Sequence, residues 1–304
     1  MSLLDPAPHD VLDAYRTCEF VTLGKDGTPL VWPTAAWRRP DGTLLLSTTL
    51  AFAQKALNIR RDGRVALLFS DPTGSGLDRA PEIFVGGRAE CPDEIRTGPQ
   101  GAEDYWRMLF ERQPHSRAYV SLPLRRTMAW YYLRLLITVT PERVIVREPP
   151  APLSESPRPS TLPGATQLAR YPSAVLAARD ASGAPVLARA RPVPAEGGFE
   201  ISVPADCAAV AGAASLLVHR HDERLNHMHN ALVRGELRGT GSNTWLLVPE
   251  RVVEPMGSGR PSDALRVLRS THRATARYLE RRGISRPPVQ WAEFRDLVAE
   301  AKRR

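Results

Sequence analysis

The stretch Ser47-Thr48-Thr49, followed by Lys55, holds the residues best suited to chemistry. Three adjacent hydroxyl residues end an apolar run, Leu44-Leu45-Leu46, that reads as a strand. A one-face helix is predicted over residues 51–60, carrying Ala53, Ala56, Leu57 and Ile59, and Arg61-Asp62-Gly63 stops it. Backbone N–H groups at a helix start lack partners within the helix. Hydroxyls at a strand end can join them in holding an anion. Lys55 lies one to two turns into the helix and can reach back to that anion as a compact positive charge. Arg60 and Arg61 add field from the helix end. Phosphate is the natural occupant. The competing assignment is a capped helix with an exposed lysine.

A second cluster comprises His219, His221, His227 and His229. His219 and His221 share one face if their strand continues, and His227 and His229 do so on the next. Facing pairs of this kind can bind zinc, iron or haem. The simpler assignment is polar residues at a hairpin or interface, some of them lining the groove. No metal ligand is assigned. Trp32, Trp37, Trp130 and Tyr131 read as core or interface residues, one of which can stack on a planar ligand.

The elements that position these residues occur twice. Phe20-Val21-Thr22-Leu23, a turn through Asp26-Gly27, and Pro29-Leu30-Val31 are echoed by Ala174-Val175-Leu176, Ser182-Gly183 and Pro185-Val186-Leu187. Leu44 to Ser47 is answered by Phe199 to Ser202, and Pro141-Glu142-Arg143-Val144 by Pro249-Glu250-Arg251-Val252. Many short strands with few helices between them indicate a small closed β-barrel rather than a βα alternation. An opening helix is expected over residues 9–19 and an amphipathic helix over 102–112. Further strands are expected over Ile83–Glu90, Tyr132–Thr138 and Arg143–Val146, with Gly86-Gly87 marking a bulge. A helix over Asp263–Arg282 should show one face of Leu265, Leu268, Thr275 and Leu279. A last helix carries Trp291, Phe294 and Val298, and both are expected to pack on the sheet.

Domain boundaries follow from these echoes and from proline density. Residues 1–147 form the first unit and 148–160 a Pro-rich linker. Residues 161–256 form a second, shortened unit, and 257–304 a basic helical tail. The chain has 304 residues, enough for two ordinary domains, and its hydrophobic content of 42% is that of a globular protein. No apolar run is long enough for a transmembrane helix, and Met1-Ser2-Leu3-Leu4-Asp5-Pro6 does not read as a secretory signal. Three scattered cysteines, Cys18, Cys91 and Cys207, indicate a reducing compartment, and the cytoplasm is expected. The net charge of +8 admits an anionic ligand, but no nucleic-acid motif accompanies it, so no nucleic-acid partner and no membrane are expected.

The order of turn, Val31-Trp32-Pro33-Thr34, turn, strand ending in Ser47-Thr48-Thr49, then Lys55, Asn58, Arg60-Arg61-Asp62 and Arg64-Val65-Ala66-Leu67, resembles a known family. It is the pyridoxamine 5′-phosphate oxidase-like split β-barrel superfamily, and in particular its actinobacterial flavin- or deazaflavin (F420)-dependent oxidoreductases. The resemblance is specific over residues 10–90, extends through Pro141 to Val146, and keeps its order over 166–256. It implies a mainly β fold with accessory helices (α+β): two tandem split β-barrels of the FMN-binding type, the second shortened, packed about a pseudo-two-fold axis. It also implies a cofactor, FMN or F420 with haem ranking behind, in a groove between two barrels. Thr34, Ala35 and Ala36 would then line the ring through backbone groups. Ser47, Thr48, Thr49 and Lys55 would take the phosphate, and Asn58 and Arg60 would sit on the rim. The cofactor would supply the hydride chemistry, so no catalytic side chain is assigned.

The implied function is an oxidoreductase acting on a small organic substrate. The alternatives are a non-catalytic flavin, F420 or haem binder and a degenerate barrel pair kept for protein interaction. The expected assembly is an intrachain barrel pair, with a homodimer of such pairs beyond it. The second unit lacks the helix and the lysine between Ile201-Ser202-Val203 and Ala214-Ser215-Leu216, so one site per chain is expected.

Overall fold

The computed structural model describes residue 4 and residues 7–149, 160–254 and 261–303. Most of the expected linker, residues 150–159, lies outside them. The first sheet comprises β1 (Cys18–Leu23), β2 (Pro29–Thr34), β3 (Trp37–Arg38), β4 (Leu44–Thr49), β5 (Arg64–Phe69), β6 (Glu82–Glu90) and β7 (Arg134–Arg147). The second comprises β8 (Ala174–Arg179), β9 (Pro185–Ala190), β10 (Val193–Ala195), β11 (Gly198–Ser202), β12 (Gly212–Arg220), β13 (His229–Gly239) and β14 (Thr244–Val253). The first sheet runs β2-β1-β5-β6-β7-β4-β3 and the second β9-β8-β12-β13-β14-β11-β10, antiparallel throughout. Position by position the two orders are the same. The sequence echo is thus a structural repeat: two curled seven-stranded half-barrels in tandem, with accessory helices around the first.

The repeat extends to a bulge. The β6–β7 register shifts between Gly86 and Gly87, opposite Pro141, and the β13–β14 register shifts between Arg234 and Gly235, opposite Pro249. Proline cannot donate to a ladder, so it is tolerated where the pairing is already interrupted. The bulge also merges the two strands expected over Tyr132–Thr138 and Arg143–Val146 into one, β7. Glycine is needed on the facing strand because the backbones come close. A Cβ at Gly87 would lie 2.2 Å from the Thr140 carbonyl oxygen, and one at Gly235 would lie 2.0 Å from that of Val248. Gly235→Ala is therefore expected to destabilise the chain by about 1–3 kcal/mol, the cost of overpacking a site that cannot yield. Equilibrium denaturation checks this, and an unchanged midpoint would mean that the strands part freely there.

Strand alternation explains how the half-barrels join. On β1, Cys18 and Phe20 face the first barrel's own core, while Val21 faces the second barrel. Every β1 residue is buried because both faces are covered. On β12, Leu216 and Val218 fill the second core, while Leu217 packs with Val21, Val31, Ala66 and Leu68 across the seam. Ser215, on the same outer face as Leu217, donates a hydrogen bond of 2.7 Å to the Pro29 carbonyl.

The helices are α1 (His9–Ala14), α2 (Gln54–Arg61), α3 (Glu103–Arg112), α4 (Leu124–Tyr132), α5 (Ala165–Leu168), α6 (Pro261–Glu280) and α7 (Trp291–Arg303). The opening helix is shorter than expected, because Cys18 to Leu23 gains more by pairing with β2 and β5. In the first unit a 3-10 turn, Leu50–Phe52, and then α2 join β4 to β5. In the second unit the same connection carries only a 3-10 turn, Ala205–Cys207. Likewise α3 and α4 stand between β6 and β7, whereas β13 passes to β14 through residues 240–243. The expected elements do not include α4. Its Leu124, Met128, Tyr131 and Tyr132 recur at helical spacing, although only Tyr132 is fully buried.

The terminal helices do not lie chiefly on a sheet. α7 packs Phe294, Leu297, Val298 and Ala301 against Tyr105, Trp106 and Leu109 of α3. α6 crosses the Leu50–Phe52 turn and α4, burying Thr271, Thr275, Tyr278 and Leu279. Of the expected face, Thr275 and Leu279 are buried and Leu268 is half-buried, whereas Leu265, near the start of the helix, remains 63% exposed. No helix among the described residues is long and apolar enough to cross a membrane.

Candidate functional site

A cavity of about 290 Å³ opens between the half-barrels at the end of the seam where β4 finishes. The first half-barrel contributes Trp32 to Ala35 from β2 and its end, Ser47 to Thr49 from β4, and Lys55 from α2. Arg134 enters at the start of β7, where the sheet register places it opposite Thr49. The α3–α4 insertion adds Tyr105, Gln113, Trp130 and Tyr131. The second half-barrel closes the far wall with His219, Arg220 and His221 from the end of β12 and His229 from the start of β13.

One end of this cleft is cationic. Lys55 is buried, stands 5.5 Å over the Trp32 ring and pairs with no carboxylate among the described residues. Burial, and then the nearby charge of Arg134, pull its pKa from 10.5 to about 8. Arg134, also buried, donates 3.1 Å to the Ser47 hydroxyl and stacks 4.2 Å from the Tyr131 ring. Ser47 in turn donates to the Tyr105 hydroxyl at 3.1 Å. Two buried cations facing one cleft without an acid make a site that favours an anion.

Further polar atoms in the cleft await a partner. Thr49 Oγ1, Trp130 Nε1, His219 Nδ1 and His229 Nε2 are buried and make no hydrogen bond, although buried polar groups are nearly always satisfied. The other ring nitrogen of His229, Nδ1, lies 2.5 Å from the Tyr171 hydroxyl. Unsatisfied groups gathered around one cavity are what a polar ligand would satisfy.

The cleft gathers Thr34, Ala35, Ser47, Thr48, Thr49 and Lys55 from the sequence candidates. Within it the Thr48 hydroxyl is already used, donating 2.9 Å to the Phe52 carbonyl. Ala36, Asn58 and Arg60 lie outside. Ala36 packs on the first core. Asn58 is fully buried, donating to Thr22 Oγ1 and accepting from Gln54. Arg60 bonds the carbonyls of Cys91 and Pro92 and the Asp93 carboxylate. Three of the four clustered histidines reach the cleft, whereas His227 is exposed outside it. Sequence reasoning missed Arg134, Tyr105 and Gln113. Only the register of β7 against β4 could have brought Arg134 to Thr49.

At the corresponding end of the seam, charged side chains of the two half-barrels pair with one another. Arg147 pairs with Asp206 at 2.9 Å, lies 3.8 Å from Glu82 and donates to the Leu187 carbonyl. Burial pushes the Glu82 carboxyl up to about 7, against the pull of Arg189 and Arg147.

The strand order and the curled sheets define a tandem pair of split half-barrels. No family model matches the chain, and no curated protein does. Solved structures with which it aligns include a conserved hypothetical protein from Mycobacterium tuberculosis. That protein is 24% identical, over 51% of this chain and 94% of the other, with a TM-score of 0.37. An F420 reductase is 24% identical over 46% of this chain and 96% of its own, with a TM-score of 0.33. HutZ, a haem storage protein from Vibrio cholerae, is 13% identical over 48% and 96%, with a TM-score of 0.32. Each alignment spans about half of this chain.

Proposed function

We propose that the chain holds a phosphate-bearing redox cofactor, FMN or F420, in the inter-barrel cleft, and that it is an oxidoreductase for a small organic substrate. The observation that carries this is the buried pair Lys55 and Arg134, with the Thr49 hydroxyl unsatisfied beside them and no carboxylate among the described residues that line the cleft. Lys55 and Arg134 would hold the phosphate, with Thr49 Oγ1 donating to it. Ser47 keeps Arg134 aimed. Trp32, Trp130 and Tyr131 offer flat faces to a ring and exclude water around it, while Thr34 and Ala35 line the same wall. When bound, the cofactor supplies hydride transfer, so the protein needs no acid or base of its own for that step.

Haem is a second reading, favoured by one feature: His229 Nε2 is buried in the cleft without a partner while Nδ1 is tied to Tyr171. The visible spectrum of the purified protein, before and after adding FMN, F420 and haemin separately, discriminates these ligands. A flavin or deazaflavin spectrum perturbed by binding is expected, and an intense haem band alone would transfer the site to haem. Catalysis would show as faster reoxidation of bound reduced cofactor by organic acceptors than of free reduced cofactor. Equal or slower reoxidation across a broad acceptor panel would leave a binder without turnover.

A further inference from the structure

Beside the cationic end of the cleft, the seam gathers Asp71, His219 and His221, whose ligand atoms all lie within 4.8 Å of one another. We propose that these three side chains bind a divalent first-row transition-metal ion, with its open coordination positions facing the cleft.

Strand alternation puts His219 and His221 on the outer face of β12 and its extension, turned toward the first half-barrel. Their rings stack with centroids 6.3 Å apart, and their side chains are 3% and 2% exposed. Asp71 follows β5 closely. Its Oδ1 accepts from the backbone N–H and hydroxyl of Thr73 at 3.1 and 2.7 Å, which leaves Oδ2 for the imidazoles.

Neighbours fix the proton positions. The fully buried Glu19 carboxylate accepts from Ser70 at 2.9 Å and from Arg189 at 2.8 Å. His219 Nε2, 2.7 Å from Glu19 Oε1, therefore carries its proton and donates it there. A neutral ring then has a bare lone pair on Nδ1, which is buried, makes no hydrogen bond and lies 3.8 Å from Asp71 Oδ2. His221 Nδ1 lies 2.9 Å from the Asp222 carbonyl, which can only accept, so Nδ1 donates. The lone pair of His221 Nε2 then accepts from the Thr17 hydroxyl at 3.0 Å and lies 3.6 Å from Asp71 Oδ2, so a metal would take the place of the Thr17 hydrogen bond.

Two imidazole lone pairs and a carboxylate oxygen thus converge at separations too long for hydrogen bonds. Direct imidazolium–carboxylate pairing would draw them to about 2.8 Å. A metal at about 2.0–2.2 Å from each donor needs them roughly 3–3.5 Å apart, so each must move inward by under about 1 Å. A carboxylate or carbonyl on the second nitrogen of each ring is the usual outer support of a metal-binding histidine. The donor set suits zinc, iron, cobalt or manganese rather than the hard cations magnesium and calcium. Because His219 and His221 line the cleft, the remaining positions are open to a small ligand there.

The test uses the full chain stripped with a chelator, then titrated with Zn(II) and with Co(II), the latter also read by its visible absorption. One ion per chain is expected, with His221→Ala and Asp71→Asn each weakening binding at least about thirtyfold. Glu19→Gln should weaken it by about 10–100-fold, because it loosens the support of His219. Lys55→Met, which removes a neighbouring positive charge, should bind the ion at least as tightly as the parent does while losing cofactor affinity, which separates this site from the cofactor reading. Should His221→Ala fail to fold, Asp71→Asn carries the test, together with protection of the parent's histidines by Zn(II) against diethyl pyrocarbonate. Absence of ion binding by the parent, or equal affinity in the parent and in folded Asp71→Asn, overturns the proposal.

Discussion

Lys55→Met should make the ligand-free protein more stable and its cofactor binding weaker. The two effects have opposite signs because the lysine's charge is costly in the empty cleft and useful in the occupied one. Its folded pKa of about 8 lies below the unfolded value of 10.5. Burial therefore costs on the order of 3 kcal/mol while both states would otherwise be protonated, below pH 8. That penalty fades as pH rises from about 8 to 10.5, where the folded state has shed the proton and the unfolded state still holds it. Methionine has similar length, packs on Trp32 and carries no charge, although it forfeits a cation–π contact of about 1 kcal/mol. A net gain of about 1–2 kcal/mol at pH 7 is expected in denaturant unfolding, disappearing near pH 10. Affinity for FMN or F420 should fall by about 1–3 kcal/mol, or roughly 5- to 150-fold, with the loss of a charge-assisted contact. Lower stability with unchanged affinity would make Lys55 a structural residue.

Cofactor affinity should also fall as the solution becomes alkaline. Phosphate binds the protonated lysine, so above about pH 8 the free protein must take up a proton in order to bind. The affinity of the parent should drop by up to about tenfold per pH unit between 8 and 9.5, and calorimetry in buffers of different ionisation heat should show proton uptake. Below pH 8 this dependence flattens, because Lys55 is already charged. Lys55→Met should show no such slope. A flat profile to pH 9.5 in the parent would mean that the anion does not meet Lys55.

The sequence made the repeat and the hydroxyl run legible because both are local: strand, turn and strand follow one another, and Ser47 to Thr49 share one strand end. Lys55 could be placed for the same reason. Arg60 was misplaced, although helix geometry argues against it. Five residues at 100° each put it about 140° round the helix from Lys55, and there it meets Cys91, Pro92 and Asp93. Asn58 is nearer to Lys55 in angle, but the inward face of β1 offers it Thr22. Arg134 was beyond reach, since what brings it to the site is the pairing of strands some ninety residues apart. The histidine pattern revealed that His219 and His221 share a face. It could not reveal Asp71 and Glu19, which belong to the other half-barrel.

The same asymmetry bears on stoichiometry. The first half-barrel presents hydroxyls, a lysine and an arginine to a cleft, whereas at the equivalent end of the seam Arg147 of the first half-barrel pairs with Asp206 of the second. Titration of the ligand-free chain with FMN and with F420 at pH 7, followed by calorimetry, is the most direct test of a phosphate-bearing cofactor in that cleft. Saturation at one cofactor per chain by at least one of the two is the expected result. No saturable binding of either would contradict it.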